Sequence, residues 1–165
     1  MNLIEVNNLL EKQKNMPKSK QPKIERLIFK SYLAMIKNSP GTNMFKNFFV
    51  LLANEEKDVT QNGSLACAFF VSSVLTIWGL VEHVSGTVTG VETMIKKSGW
   101  LRINRPKPGA VLVWEEKKGH RHVGFCLSTH LAVSNCPNRP KIHDLNFSCQ
   151  NRKLEAIYWH PSFDK

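Results

Sequence analysis

The sequence predicts an α+β fold in which helices come first and an antiparallel β-meander follows. Three observations carry this prediction: helical periodicity over residues 22–39, a long apolar run over 65–81, and β-favouring segments separated by turns after residue 110. With 165 residues, of which 42% are hydrophobic, the chain can bury one core and has little room for two. We therefore expect a single domain over residues 22–165, preceded by a basic, mobile extension over residues 1–21.

The first segments of the chain are polar and then helical. Residues 1–21 are rich in Lys, Asn and Gln and carry only a weak helical pattern of apolar residues. From Pro22, which suits a first helical position, apolar residues recur at helical spacing until Pro40-Gly41 ends the pattern. This amphipathic helix is predicted by Ile24, Leu27, Ile28, Tyr32 and Met35.

A hairpin is predicted next. Residues 48–52 form a β-favouring run, and residues 58–60 form a short return strand. The polar residues 54–57 between them are expected to form the turn.

The apolar run over residues 65–81 predicts a buried helix. It is shorter than a comfortable membrane span and is interrupted by Ser72, Ser73 and Thr76. If Ser64 caps this helix, Cys67 occupies its third position, where unpaired backbone N–H groups and the helix dipole favour a thiolate. No membrane span is expected.

A further helix and four strands complete the predicted fold. Thr89 and Glu92 have the spacing of a capping box, and Gly99 is a natural helix terminator. Pro106 and Pro108-Gly109 then break the chain before the sheet. The predicted strands cover residues 110–114, 121–127, 131–135 and 154–159.

The formal net charge of +10 and the pI of about 9.6 favour polyanionic partners, whether nucleic acid, anionic membrane or wall polymer. No aromatic-interleaved platform for single-stranded nucleic acid accompanies the charge, so a solvated basic surface is favoured and nucleic acid is not an expected partner. The basic residues concentrate before the presumed core and around the turn between the predicted strands 110–114 and 121–127. They are Lys12, Lys14, Lys18, Lys20, Lys23, Arg26, Lys30, Lys117, Lys118 and Arg121.

The cysteines lack paired CxxC spacing and the density of a disulfide scaffold, which favours reduced thiols. A zinc site is disfavoured because its candidate ligands lack short paired spacing, and no cofactor is expected. Those candidates are His130, Cys136, His143 and Cys149. The N-terminal sequence carries Glu5 where a secretory signal would be positive, so we expect a protein that is cytoplasmic, or released by lysis or a non-classical export route.

Two residues predict enzymatic chemistry. Cys67 in the first turn of a helix and a histidine on a distant strand are the two halves of a thiol nucleophile and its base. His120 and His122 lie on the same face of the predicted strand, so strand alternation does not choose between them.

Three ordered motifs resemble the NlpC and CHAP superfamily of bacterial cysteine peptidases and amidases, which have a papain-like core. Cys67 followed by Phe70-Val71 resembles the catalytic helix, Lys107-Pro108-Gly109 the turn entering a strand, and His122-Val123-Gly124-Phe125 the histidine strand. The likeness covers residues 62–135. The chain departs from the family at Ala66 and Ala68, which flank the cysteine, and at Ala110, where members usually have Asp.

The resemblance selects His122 as the base and implies an acyl-enzyme mechanism with Cys67 as nucleophile. A third, orienting group about a dozen positions later falls on Ser134 or Asn135, with His143 a more distant choice in an apparent loop beyond Pro140. The implied substrate is an amide bond in peptidoglycan peptides. Anionic wall polymer is a further expected partner, and the protein is expected to be a monomer. Two alternatives remain: a catalytically silent basic binding module of the same fold, and a papain-like enzyme that acts on a cytosolic amide.

Overall fold

The computed structural model describes residues 3–14, 25–148 and 151–164. These residues form a mixed α+β fold, which confirms the predicted class. In chain order the elements are α1 (Leu3–Lys14), α2 (Ile28–Asn38), β1 (Phe49–Leu52), β2 (Glu55–Asp58), α3 (Cys67–Ile77), α4 (Val88–Lys97), β3 (Leu101–Arg102), β4 (Val111–Lys117), β5 (His120–Cys126), β6 (Leu131–Asn135), β7 (Pro140–Asp144), β8 (Leu154–Trp159) and a 3₁₀ helix (Pro161–Asp164).

The main sheet has six strands in the order β3-β8-β4-β5-β6-β7, and every neighbouring pair is antiparallel. Strands β4, β5 and β6 follow one another as a meander, as predicted, and β7 continues it. The prediction of a simple meander is wrong for β8, because this last strand returns to pair with β4 and with β3. Four consecutive residues of β8, Ala156 to Trp159, are buried. Because successive side chains point to opposite faces of a strand, β8 is covered on both faces, which suits a position inside the sheet rather than at the end of a meander.

Helix α3 packs against β5 and β6 and supplies much of the core. Phe70, Val71, Val74 and Leu75 are all fully buried, so the helix is covered on more than one side, as its apolar sequence predicts. Within the described part of the chain, no helix has the length and apolar character needed to cross a membrane.

Helix α2 begins at Ile28, later than the predicted start at Pro22, which lies outside the described residues. Leu27 caps the helix without a side-chain hydrogen bond, and the helical residues begin where the aromatic face can pack on the core. On that face, the Tyr32 hydroxyl donates to the Gly109 carbonyl at 2.7 Å. Gly109 has a φ of 92°, and a Cβ there would lie 3.0 Å from Leu33, so this turn requires glycine.

The predicted hairpin forms, but its turn is tighter than expected. Ala53 and Asn54 both have positive φ, 50° and 64°, and form a two-residue turn between Leu52 and Glu55. Such turns match the twist of the paired strands. Residues 55–58, predicted mainly as turn, are therefore the return strand.

The N-cap of helix α4 lies two residues before the predicted one. Thr87 is the N-cap, and its hydroxyl accepts a hydrogen bond from the Gly90 N–H at 3.1 Å. The capping box predicted for Thr89 and Glu92 is wrong because Glu92 turns inward, where it accepts hydrogen bonds from Tyr158 and Arg121.

Several strand bounds differ from the predicted ones. Segments 131–135 and 154–159 match, whereas β4 extends to Lys117 and β5 already begins at His120. Strands β3 and β7 were not predicted. Pro140 indicated a loop, yet it is the first residue of an edge strand, a position where the missing N–H is tolerated.

The N-terminal extension is partly described. Leu3–Lys14 forms α1, in agreement with the weak helical pattern. Residues 15–21, the rest of the predicted extension, lie outside the described residues.

Candidate active site

A cleft of about 790 Å³ lies where the N-terminus of α3 meets the sheet. The β1–β2 hairpin, the start of α4, the β4–β5 turn and the end of β6 form its remaining walls. Cys67, His122, Asn135, Cys136 and Arg152 all line it. The structure therefore brings the predicted nucleophile and base into one cavity, with Asn135 beside them.

Cys67 is the first residue of α3, rather than the third. Ala66 is the N-cap and makes no side-chain hydrogen bond. The predicted cap, Ser64, instead donates its hydroxyl to the Gln61 carbonyl at 3.0 Å and stabilises the preceding turn. The placement still puts the cysteine at a helix N-terminus, where the first backbone N–H groups lack intrahelical partners.

Burial raises the pKa of the Cys67 thiol above its ordinary value. The backbone N–H groups of Val123 and Ala68 and the charge of Arg152 act in the opposite direction, but their combined effect is smaller. The residue as a whole is half-exposed, whereas its sulfur faces β5 at Val123. The helix start thus favours the thiolate as expected, yet burial is the larger influence and the resting thiol is neutral.

His122 lies on β5 and is 8% exposed. Its Nε2 is 2.8 Å from Oγ of Ser134 on the neighbouring strand β6. Gly124 makes this close approach possible, because a Cβ there would lie 2.5 Å from the Val133 carbonyl oxygen and 2.7 Å from Cβ of Ser134. The close packing of β5 against β6 therefore requires the glycine of the His-Val-Gly motif.

Ser134 also contacts His143. Two of the three candidates for the orienting group are therefore linked by a hydrogen bond. Oγ of Ser134 lies 2.8 Å from Nε2 of His143, and Nδ1 of His143 lies 2.8 Å from the Asp144 carbonyl. His143 belongs to β7, not to the loop in which the sequence suggested it.

The directions of these hydrogen bonds fix the tautomer of His122. A carbonyl only accepts, so Nδ1 of neutral His143 carries the proton and its Nε2 accepts the Ser134 hydroxyl. With its one hydrogen used there, Ser134 accepts from Nε2 of His122. The unprotonated nitrogen of His122 is therefore Nδ1, which makes no hydrogen bond within the described chain.

Aromatic side chains enclose both imidazoles. The Phe147 ring stacks on His122 with centroids 4.9 Å apart and lies 4.1 Å from the His143 ring. Trp114 contacts both rings, at 5.7 and 5.5 Å, and its own N–H donates to the Leu145 carbonyl. This packing holds the rings in one orientation and removes water from around them.

The same burial lowers the pKa of His122 to about 3, and the charge of Arg152 and the neighbouring His143 add to the effect. Burial also lowers the pKa of His143. Arg152 is held beside the cleft by Nη1, which donates to the carbonyls of Glu115 and His120. At neutral pH both the thiol and the imidazole are uncharged.

Asn135 has a different neighbour. Its Nδ2 donates to the Gly63 carbonyl at 2.6 Å, and the Asn138 N–H reaches the same oxygen at 3.2 Å. Gly63 closes the turn that precedes α3. Asn135 therefore ties the turn before Cys67 to β6 and is not hydrogen-bonded to His122.

His120 also lines the cleft, as strand alternation indicated, but its side chain is exposed and it lacks the Ser134 contact. The roles of Phe147, Trp114 and Arg152 carried no sequence signal, because each depends on a loop or strand pairing distant in sequence. In the part of the chain that the structure describes, no group of three His, Cys, Asp or Glu side chains has the geometry of a metal site. Cys149, one of the weighed zinc ligands, lies outside that part.

No hydrogen bond joins Cys67 to His122 among the described residues, although the sulfur faces the N–H of the next residue, Val123. No protein-family model matches the sequence. No curated protein matches it either.

Proposed function

We propose that the protein is a cysteine amidase or peptidase of the NlpC and CHAP type, in which Cys67 is the nucleophile and His122 the general base. The observation that supports this most is the Ser134–His143 chain, which leaves Nδ1 of His122 as an open acceptor in the cleft that Cys67 lines. The activity follows from the base and thiol sharing one cleft.

The reaction proceeds from a neutral pair. As the Cys67 sulfur attacks the amide carbonyl carbon, its proton passes to Nδ1 of His122, and the backbone N–H at the start of α3 stabilises the oxyanion. The C–N bond then breaks as His122 returns the proton to the leaving nitrogen, which gives a thioester on Cys67. Water attacks the thioester, His122 takes the water proton, and the thiol is reprotonated as the C–S bond breaks.

Ser134 and His143 act as positioning residues in this scheme. The chain from Asp144 through His143 and Ser134 holds the proton of His122 on Nε2 and stabilises the imidazolium that forms during attack. This arrangement does the work that an Asn does in papain-like enzymes. A peptide bond in peptidoglycan is the candidate substrate carried over from the resemblance, and the basic surface suits approach to anionic wall polymer.

The first test is incubation of purified peptidoglycan with the wild type and Cys67→Ala, followed by mass spectrometry of released fragments. We expect products that require Cys67 and that His122→Gln reduces by at least about a hundredfold, the scale of general-base catalysis. Cys136→Ala and His120→Gln are the matched controls, since both residues line the same cleft. Absence of any Cys67-dependent product would count against a wall substrate.

A substrate-independent test separates an enzyme from a silent binding module. Iodoacetamide should alkylate Cys67 in the wild type, and more slowly in His122→Gln, because the base assists loss of the thiol proton. If His122→Gln leaves the rate unchanged while Cys67→Ala retains salt-dependent binding to polyanions, the binding module is favoured instead.

A further inference from the structure

The two faces of strand β1 have different surroundings. Phe48, just before β1, and Val50 line the cleft and are half-buried, whereas Phe49 and Leu51 are 58% and 73% exposed. Side chains alternate between the faces of a strand. Leu52, 56% exposed, therefore continues the cleft-facing side outward from Val50.

Further apolar side chains extend this surface within the cleft. We use the name apolar wall for the lining residues Phe48, Val50, Val59, Leu65 and Val88. The wall spans the hairpin, the turn before α3 and the start of α4.

The apolar wall is fixed relative to the nucleophile. Phe48 stacks on Phe69 of α3, with ring centroids 4.7 Å apart and an interplanar angle of 8°. Asp58 at the hairpin base accepts hydrogen bonds from the N–H groups of Phe48 and Asn62, so it joins the hairpin to the turn that leads to Cys67. The wall is thus part of the same rigid unit as the catalytic helix.

The rest of the cleft is polar, with Glu116, His120, Arg121 and Arg152 on the side of the β4–β5 turn. An amide substrate seated over Cys67 therefore meets apolar surface on one side and charged groups on the other. The apolar side is where an apolar group gains by leaving water, in proportion to the area covered.

We propose that the apolar wall binds an aliphatic or aromatic group of the substrate next to the scissile carbonyl, so that Cys67 acts on amides that carry such a group. The proposal rests on the proposed function, since it uses Cys67 as the nucleophile. The expected substrate is an amide with an apolar group on one side of the scissile bond and a polar group on the other, which faces the β4–β5 turn.

The experiment measures alkylation of Cys67 in the full chain by iodoacetamide and its N-methyl, N-butyl and N-hexyl derivatives. Rates are divided by those of glutathione, and peptide mapping locates the adduct. We expect the relative rate at Cys67 to rise with chain length, by up to about fourfold per methylene that reaches the wall.

Two double variants compare the two faces of β1. Val50→Thr with Leu52→Thr changes the cleft face, and Phe49→Thr with Leu51→Thr changes the opposite face while keeping residues that favour strands. The first should lose chain-length selectivity but keep the iodoacetamide rate. The second should behave as the wild type, and circular dichroism confirms that both variants fold.

Each outcome separates the two proposals. Wild-type rates at Cys67 that do not vary with chain length overturn the apolar wall and leave the nucleophile intact. Selectivity that survives the cleft-face variant, or that is lost in the opposite-face variant, also overturns it. Failure of every reagent to modify Cys67 overturns both proposals.

Discussion

Burial of His122 predicts a specific dependence of stability on pH. Its folded pKa is about 3, against an ordinary value of about 6.5. Between these values the unfolded chain binds a proton that the folded protein does not, so the stabilisation is nearly complete at pH 7.5 and is lost as the pH decreases. The expected loss from this residue approaches about 1.4 kcal/mol per pH unit below pH 6.5 and totals about 2.7 kcal/mol between pH 7.5 and 4.5.

The assay is urea unfolding followed by tryptophan fluorescence at pH 7.5, 6.5, 5.5 and 4.5, for the wild type and His122→Gln. Glutamine keeps an N–H donor for Ser134 but does not titrate, and groups distant from His122 contribute equally to both proteins. The difference between the two free energies of unfolding should therefore shrink by about 2.7 kcal/mol from pH 7.5 to 4.5. His120→Gln, which changes an exposed ring on the same strand, should follow the wild type.

Parallel pH curves for the wild type and His122→Gln would refute this reasoning. They would mean that the pKa of His122 is the same in the folded and the unfolded protein. In that case the desolvation assigned to the His122 ring would be wrong.

Three other substitutions, one of them with a matched control, test the surroundings of the site. Gly124→Ala should lower the free energy of unfolding by about 1–3 kcal/mol in urea titration, because its Cβ would meet a strand carbonyl at 2.5 Å. Gly86→Ala, whose Cβ would have no contact closer than 3.5 Å, should stay within about 0.5 kcal/mol of the wild type. Asp58→Asn should speed proteolysis of the hairpin, measured by mass spectrometry. The Thr60 hydroxyl and backbone N–H groups donate to this carboxylate and hold its pKa far below the usual range, and the substitution removes their charged acceptor. Equal cleavage rates would contradict this. Glu92→Gln should lower the free energy of unfolding by about 1–3 kcal/mol in thermal melts, because it weakens a partly buried hydrogen-bonded ion pair; an unchanged melting temperature would show that the pair contributes nothing.

Local patterns were sufficient to predict much of the fold. Segments 131–135 and 154–159 alternate or cluster β-favouring residues between clear turn signals, and the structure gives them the predicted bounds. Helix starts were less predictable. Thr87 rather than Thr89 caps α4, because the Glu92 side chain accepts hydrogen bonds from Tyr158 and Arg121 and does not complete a capping box with Thr89.

The cleft contains both members of the predicted pair, Cys67 and His122, which stand in motifs that resemble a known family. For the orienting group the sequence offered Asn135, Ser134 as a weaker choice and His143 as a distant third. Adjacent strand residues point to opposite faces, and the sequence does not say which face meets the histidine. The pairing of β5 with β6 makes Ser134 the neighbour of His122 and leaves Asn135 with Gly63.

The sequence by itself determined the α+β class, the buried cysteine helix and the order of the motifs, since these depend on periodicity and on residues near one another in the chain. The tertiary structure decided that His143 lies on an edge strand, that it orients His122 through Ser134, and that Phe147 buries both rings. It also decided the protonation of the pair. A helix N-terminus alone favours a thiolate, but the desolvation that lowers the pKa of His122 and raises that of Cys67 comes from side chains distant in sequence, which only folding brings together.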